Sequence, residues 1–378
     1  MKWPVGRVST AVGITVLAFL ISFAVAYDIS SISYFAPMEK ASDFRISDFY
    51  QIVADGRGVR ELDRRIVVVA IDDCSREEIA EVVEQVDFCA PRAVGLDVFF
   101  DYPMGESDER LVGAIRACER LVLPLDLRYE AEADRFASGK GSFFYDRVSS
   151  AEFGAVNLAG SDTRSAIREF RPLFPRAQDT VLNFVAVLAR QADPAAFGRL
   201  AARGNVYETI AYPSREFEVV EAGEVLACRE LLHDRIVLIG TVRDLHDRHM
   251  TPTDARMPGV LLHAHALSTI LRGDYIRETG NGFDWTVAIA LCFLMVLADV
   301  LLRDKNVGEL VIRLLQLLLL YLVVLCGCHL FISHRICINF AKPLLMVALG
   351  LLASDIWFGM VGAGEWFRKM WRRKFKSI

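Results

Sequence analysis

The stretch "RRIVVVAIDDC", Arg64–Cys74, decides the fold class of the central part of the chain. Its β-branched run has the length and composition of a strand buried on both faces, as strands of parallel sheets are. Two carboxylates, Asp72 and Asp73, end the run. The next segment, Ser75–Phe88, begins with a Ser-x-x-Glu capping pattern and carries apolar residues on one helical face. We therefore predict a strand, an acidic turn and an amphipathic helix.

The same alternation continues along the chain. The segment "PRAVGLDVFF" predicts a second buried strand ending near Asp97, and "SDERLVGAIRAC" predicts a second amphipathic helix. Further strands are predicted at "RLVLPLDL" and "RIVLIGTV", and a helix with a glycine stop at "GVLLHAHALSTILRG", Gly259–Gly273. Residues 128–150 are expected to form a polar loop. Strands alternating with helices of this length predict an α/β domain with a largely parallel sheet.

Apolar residues are concentrated near the two ends of the chain. Hydrophobic residues make up 53% of the 378 residues, and four segments approach the roughly 20 apolar residues that cross a bilayer. They predict an all-α membrane bundle of four helices. The predicted parts are an N-terminal anchor (1–27), a central domain (28–283), three spans within 284–362 (about 284–302, 310–332 and 338–361) and a basic tail (363–378).

Basic residues next to the spans predict their orientation. The tail "EWFRKMWRRKFKSI" contains six basic residues and one acidic residue in a chain of net charge −5, and such segments stay on the cytoplasmic side. With four spans, both termini are then cytoplasmic and the central domain is extracytoplasmic, in a cell inner membrane. An alternative remains for residues 1–26, which resemble a signal peptide cleaved after Ala26. The tail is expected to bind anionic lipid rather than nucleic acid.

Polar residues follow the predicted strands at the point where each strand ends. Ligands of open α/β sheets bind beyond the carboxyl ends of the strands, so we expect these residues to surround one crevice. The candidate ligand-binding residues of this edge are Asp72, Asp73, Asp97, Thr241, Asp247, His249 and His263. A structural alternative is open for Asp72, which could cap the following helix or accept hydrogen bonds from loop amides.

The segment around "GAVNLAGSDTRSAIREFRPL" supplies three more candidates, Asn157, Arg168 and Arg171. Together with Arg164, these arginines offer guanidinium forks for an anionic ligand group, or they pair internally with aspartates, which we favour. No metal is expected, because the His and Asp spacing does not match HExxH, and His263 and His265 point to different helical faces. No cofactor is expected, since glycine-rich phosphate-binding motifs and GxSxG are missing from the sequence.

The cysteines of the central domain are compatible with an oxidising compartment. Cys74, Cys89, Cys118 and Cys228 permit up to two disulfides, or they are buried free thiols. Cys89 and Cys118 each precede a predicted strand of the same sheet. They are therefore the pair that we favour for a bridge at the opposite sheet edge.

Several of these stretches, in this order, resemble the CHASE type 2 family of extracellular sensor domains. The resemblance covers about residues 45–275 and rests on "VVVAIDDCS", "PRAVGLDVFF", "DERLVGAIRACERLVLPL", "GAVNLAGSDTRSAIREFRPL", "DRIVLIGTV" and "DRHMTPTDARMPGVLLHAHALSTIL". It implies one span before the sensor and three after it, with an output domain often following. Here a basic tail follows the spans, so the output is expected to pass to a separate partner. In a second departure from the family pattern, His265 stands where the family often has Asn.

The favoured function is therefore sensing of an extracytoplasmic small molecule or protein, without enzymatic activity. The partner is expected to be a separate signalling or envelope protein, and a homodimer is an open alternative. A second hypothesis is a structural or scaffolding component of a cell-envelope complex that senses no ligand. A metal-dependent hydrolase outside the cytoplasm is a third and less favoured hypothesis.

Overall fold

The β-branched run predicted as a buried strand forms an inner strand of the main sheet. All residues from Ile66 to Val69 are completely buried. The computed structural model describes residues 5–31, 45–56, 61–130, 132, 135–148, 151–158, 166–177, 179–212, 215–303 and 309–374. The chain divides into a globular unit, Gln51–Ile276, and a helical unit, Met1–Tyr50 with Arg277–Ile378.

The strands of the globular unit are mostly short. They are β1 (Glu61–Ala70), β2 (Ala93–Leu96), β3 (Leu121–Glu130), β4 (Arg135–Lys140), β5 (Glu152–Ala155), β6 (Glu169–Phe170), β7 (Leu173–Pro175), β8 (Thr180–Leu182), β9 (Glu208–Thr209), β10 (Arg215–Glu221), β11 (Ile236–Gly240), β12 (Arg248–His249) and β13 (Met257–Pro258).

The helices of the two units are much longer on average. They are α1 (Val5–Ser31), α2 (Ile46–Asp55), α3 (Arg76–Phe88), α4 (Glu106–Ala117), α5 (Phe184–Ala192), α6 (Pro194–Arg203), α7 (Arg229–Leu232), α8 (Gly259–Arg272), α9 (Asn281–Leu302), α10 (Glu309–His334) and α11 (Ala341–Lys374). The helical unit also pairs two short parallel strands, β14 (Arg277–Glu278) and β15 (Ile336–Cys337).

The main sheet has seven strands in the order β10-β1-β11-β2-β3-β4, and β5 pairs with β3. All pairings are parallel except that of β3 with β4. The predicted α/β fold with a largely parallel sheet is therefore confirmed. The polar loop predicted at residues 128–150 is wrong in part, because it contains β4. The segment "RFASGK" lacks apolar alternation, and its strand conformation depends on pairing with the end of β3.

Helices cover both faces of this sheet, and alternate residues of β1 belong to different cores. Ile66 and Val68 pack with residues of α5, α6 and α8, whereas Val67 and Val69 pack with residues of α3 and α4. Burial on both faces explains why β1 is apolar at successive positions rather than alternating. The predicted capping box of α3 is present, with Ser75 N donating to Glu78 Oε2 at 2.7 Å.

A buried network joins β1 to α8. The Asp63 carboxylate accepts hydrogen bonds from Arg65 Nη2 (2.8 Å), Ser268 Oγ (2.6 Å) and Arg272 Nε (3.0 Å). Burial alone would raise the pKa of Asp63, but these hydrogen bonds outweigh it and hold the pKa well below its ordinary value. Arg272 also pairs with the exposed Glu61 at 3.0 Å. The network therefore anchors β1 to the last helix of the globular unit.

Asp63→Asn should destabilise the globular unit by about 3 kcal/mol, because it removes the charge partner of two guanidinium groups. Glu61→Gln is the matched control and should change stability by less than about 1 kcal/mol, since Glu61 is exposed. The advantage of wild type over Asp63→Asn is complete at neutral pH and should shrink as the pH falls below about 4. Urea unfolding of the full chain followed by circular dichroism measures both effects; a pH-independent difference would contradict the assignment.

Among the described residues, the helical unit contains four helices that are long and apolar enough to cross a membrane. The apolar stretches are Gly6–Ala24, Asn281–Leu302, Leu310–His334 and Ala341–Gly364. The prediction of a membrane part with four helices is confirmed by the length and the apolar composition of these helices. The bounds proposed for the domains stay predictions.

Charged residues inside these helices are paired with one another. Asp299 is almost fully buried and accepts from Ser354 Oγ at 2.5 Å and from Arg303 Nη2 at 3.0 Å. Arg303 also donates to Asp355 at 3.0 Å, and Asp355 accepts from Arg313 at 2.9 Å. The network joins α9, α10 and α11, so these carboxylates link the three C-terminal helices to one another.

Asp299→Asn should lower the unfolding temperature of the helical unit, with a loss of about 1 kcal/mol. Asp355→Asn is the control with a smaller expected effect, because the Asp355 side chain is 46% exposed. Trp285 and Trp357 lie on α9 and α11, so tryptophan fluorescence of the full chain during heating follows this unit. An equal or larger effect of Asp355→Asn would show that buried Asp299 is not the centre of the network.

Candidate functional site

The carboxyl ends of three neighbouring strands bring the predicted acidic residues to one edge of the sheet. The order β1-β11-β2 places the residues after β1, after β11 and after β2 side by side. Asp97 N donates to Ile239 O at 2.8 Å, and Ile71 N donates to Gly240 O at 3.1 Å. Thr241, which follows β11 directly, is half-buried at this edge. The chain topology thus assembles residues that are far apart in sequence.

The Asp72 carboxylate is occupied by backbone amides of the loop after β11. Its oxygens accept from Val242 N at 3.1 Å and from Arg243 N at 2.7 Å. The Arg243 guanidinium lies 3.7 Å away, and the Asp72 side chain is only 6% exposed. Of the two roles predicted for Asp72, the contacts match the structural one, in which it accepts hydrogen bonds from loop amides. Helix α3 is capped by Ser75 instead.

Asp73 shapes the turn between β1 and α3. Its φ of +63° lies in the left-handed region, which Asp and Asn tolerate better than other side chains with a Cβ. The side chain is exposed. The doublet therefore consists of one buried acceptor and one turn residue.

Asp97 differs from Asp72 because its carboxylate accepts no hydrogen bond from the described residues. The side chain is 14% exposed, and the nearest basic atom is His263 Nε2 at 3.8 Å from Oδ2. That separation is too long for a hydrogen bond. Burial raises the pKa of Asp97, the neighbouring His263 opposes this shift, and the Asp247 charge adds to it. Asp97 is thus a poorly solvated carboxylate at the sheet edge that accepts no hydrogen bond from the described part of the chain.

Asp247 and His249 approach Asp97 from the loop after β11. His249 Nε2 lies 3.0 Å from Asp247 Oδ1. Burial works to raise the pKa of Asp247, but the hydrogen bond with His249 outweighs it, and the net shift is downward. A Cβ at position 259 would stand 2.5 Å from Asp247 Oδ2. Only glycine at the start of α8 therefore allows this carboxylate its observed place.

His263 lies on α8, between Asp97 and the core. Its side chain is 6% exposed, and its ring packs edge-on against Phe184, with centroids 5.4 Å apart. His265 points elsewhere, as predicted, and packs against Tyr212 and Phe217. His263 therefore faces Asp97, whereas His265 belongs to the aromatic core.

The three candidates from the segment after β5 make other contacts. Asn157 bonds to β3, with Nδ2 donating to Leu127 O and Leu127 N donating to Oδ1, both at 2.8 Å. Arg168 is buried and donates to Ala166 O at 2.9 Å. Arg171 stacks on the rings of Phe136, Phe174 and Tyr207.

Among the described residues Arg171 forms no ion pair with an aspartate, so the internal pairing that we favoured is not found for it there. Its Nε donates to Leu173 O at 2.8 Å, and its guanidinium packs on aromatic rings from three separate segments, an encounter that spacing along the chain does not show. Arg164 lies outside the described residues.

One residue near Asp97, Tyr145, was not predicted from the sequence. Tyr145 lies in a turn inside the segment predicted as a polar loop, and its hydroxyl donates to Pro124 O. Burial raises the pKa of Tyr145 to about 12, and the charge of Asp97 contributes in the same direction. The aromatic run "FFY" in that segment is the signal that could have indicated a buried turn.

The predicted Cys89–Cys118 bridge is wrong in this structure. Both residues lie at helix ends before β2 and β3, at the edge opposite Asp97, and both are free thiols. Burial raises the pKa of the Cys118 thiol to about 12, and the neighbouring Asp87 charge adds to this shift. Among the described residues no group of three or more His, Cys, Asp and Glu side chains is arranged to hold a metal ion.

Asp72→Asn should destabilise the globular unit by about 1–3 kcal/mol, because an amide presents an N–H₂ group and one acceptor to the backbone donors of Val242 and Arg243. Asp73→Asn is the control and should change stability by less than about 0.5 kcal/mol. Asn also tolerates the left-handed φ. Thermal unfolding of the full chain followed by circular dichroism compares the two; equal effects would refute the division of roles within the doublet.

Comparison with known proteins agrees with the resemblance noted from the sequence. The CHASE2 domain profile matches residues 16–300. Neither the curated proteins nor the solved structures include a significant match to the chain. Because the matched region covers more than half of the 378 residues, the chain belongs to the CHASE2 family of sensory domains, here combined with apolar helices typical of a membrane protein.

Proposed function

We propose that the globular unit senses a small molecule outside the cytoplasm at the sheet edge around Asp97. The observation that carries this proposal is the partly buried Asp97 carboxylate, which lacks a hydrogen-bond donor among the described residues and faces His263 across 3.8 Å. A buried polar group without a partner costs free energy. A ligand that donates a hydrogen bond to Asp97 would remove that cost, and binding would be favoured for this reason.

The proposed orientation places the globular unit on the extracytoplasmic side of a cell inner membrane, with both termini in the cytoplasm. The basic residues of the tail support it. Trp366 in that tail is 60% exposed and fits an interfacial anchor on anionic lipid. No enzymatic activity, cofactor or nucleic-acid binding is part of the proposal.

The signal would pass through the helical unit to a separate signalling or envelope protein. The chain connects the two units at Tyr50–Gln51 and at Ile276–Arg277. A ligand can shift such a system only by binding one arrangement more tightly than another. Spin-label distances between α1 and α9, measured with and without ligand, would report that shift, and a homodimer would show itself as an intermolecular distance.

A scaffolding role without a ligand is the second candidate. It is favoured by the structural roles of Asp72, Asp73, Asn157 and Arg171, which were all candidates for ligand contact. Co-purification of a stoichiometric envelope partner, unaffected by substitution of Asp97, would support this alternative.

A thermal-shift screen of small polar molecules on the full chain should find ligands that raise the unfolding temperature of wild type. Asp97→Asn should remove most of that shift, because an amide lacks the charge and one of the two acceptor oxygens, whereas Asp73→Asn should keep it. Circular dichroism is the readout, since all five tryptophans lie outside residues 51–276. Ligands that stabilise Asp97→Asn as strongly as wild type would contradict this site.

A further inference from the structure

The charges around Asp97 indicate what class of molecule this edge can hold. The cluster formed by Asp97, Asp247, His249 and His263, called the Asp97 cluster below, contains two carboxylates and two imidazoles. Imidazole is a weak base and not a permanent cation. Whether the cluster is acidic therefore depends on whether lysine or arginine side chains reach its carboxylates.

The arginines of the adjacent loop are occupied by other groups. Arg243 binds Glu221 with two nitrogens at 2.9 Å each and lies 3.7 Å from Asp72. Arg248 has all three guanidinium nitrogens on backbone carbonyls, those of Val242 (2.6 Å), Asp244 (2.9 Å) and Arg256 (3.0 Å). Among the described residues, no lysine or arginine forms an ion pair with Asp97 or Asp247. The cluster thus presents carboxylates without a permanent positive partner.

His263 provides a second and independent observation. Its imidazole is more than nine-tenths buried and makes no hydrogen bond with the described residues, although Nε2 faces Asp97 Oδ2 at 3.8 Å. The ring packs in a T-shaped contact with Phe184. The ring nitrogens of this largely buried side chain have hydrogen-bonding capacity that the described residues do not use. A ligand atom between His263 and Asp97 would satisfy both groups.

The cluster is reachable from solvent on the loop side. The side chains of Asp247 and His249 are 41% and 25% exposed, whereas those of Asp97 and His263 are 14% and 6% exposed. Exposure therefore decreases from the loop toward the core. A small molecule can contact Asp247 first and place one group between Asp97 and His263.

We propose that the Asp97 cluster binds a small organic cation, a molecule that carries a protonated amine or an amidinium group. This inference rests on the proposed sensing function and gives its ligand class. A cationic nitrogen donates charge-assisted hydrogen bonds to carboxylates, which are stronger than those of a neutral hydroxyl. It also compensates the charge that the cluster's carboxylates carry. An anionic ligand would meet two carboxylates and no arginine or lysine in ion-pair contact with them.

The test is isothermal titration calorimetry of the full-length protein in a neutral detergent with three probes of equal chain length. Putrescine carries two protonated amines, butane-1,4-diol is neutral, and succinate carries two carboxylates. Putrescine should bind most tightly. Asp97→Asn should weaken putrescine binding at least tenfold, Asp247→Asn should weaken it less because Asp247 is more exposed, and Asp73→Asn should leave it unchanged.

Three outcomes would overturn the cation assignment. Tighter Asp97-dependent binding of the diol or of succinate would show that the site exists but takes another class of ligand, so the proposed sensing function would survive. Putrescine binding that Asp97→Asn leaves unchanged would place the cation elsewhere. Binding of none of the probes would overturn the ligand class, while the broader thermal-shift screen decides the sensing function separately. Circular dichroism of each variant checks folding, and Asp247→Asn keeps the test valid if Asp97→Asn fails to fold.

Discussion

The insertion of β11 between β1 and β2 is the constraint on which the rest of the globular unit depends. The first two strands and their helices form a local α/β arrangement, but only the later strand brings the loop with Asp247 and His249 to their carboxyl ends. The amides after β11 bind Asp72, and Ile239 O accepts from Asp97 N. One parallel strand therefore both completes the core and builds the edge where the polar residues meet.

Neighbouring carboxylates at this edge have different roles because their donors differ. Asp72 has backbone amides at hydrogen-bond distance, and their geometry makes it part of the scaffold. Asp97 follows β2, which lies two strands along the sheet from β1. Its nearest basic atom among the described residues is His263 Nε2, at 3.8 Å. Folding stabilises the first carboxylate and leaves the second with unused acceptor capacity. A scaffold that holds one acidic group firmly and leaves another open is suited to recognition.

Much of the fold could be predicted from the sequence because it is recorded in local patterns. The β-branched run of β1, the capping box of α3 and the glycine after α8 each carry a short-range signal. Strand β4 carries none, since its conformation depends on pairing with the end of β3. The four apolar helices were predictable by length and composition alone.

The candidate site could be predicted only in outline. The topology rule placed Asp72, Asp97 and the loop after β11 on one edge, but it could not say which carboxylate the loop amides would satisfy. That choice depends on hydrogen bonds between residues about 170 positions apart, such as Arg243 N to Asp72. The aromatic partners of Arg171 likewise come from segments distant in sequence. Sequence patterns report burial and periodicity, whereas donor and acceptor pairing is decided by the folded backbone.

In the unliganded protein Asp97 is poorly solvated, and its carboxylate accepts no hydrogen bond from the residues that the structure describes. Infrared difference spectroscopy of the full chain, wild type against Asp97→Asn across a pH series, measures this directly through the carboxyl stretch lost in the variant. We expect a carboxyl group that titrates above the value of about 4 that is ordinary for aspartate, because burial raises the pKa of Asp97. A carboxyl group that titrates at or below that value would mean that Asp97 is already paired or fully solvated, and Asp97 would then not be an open acceptor for a ligand.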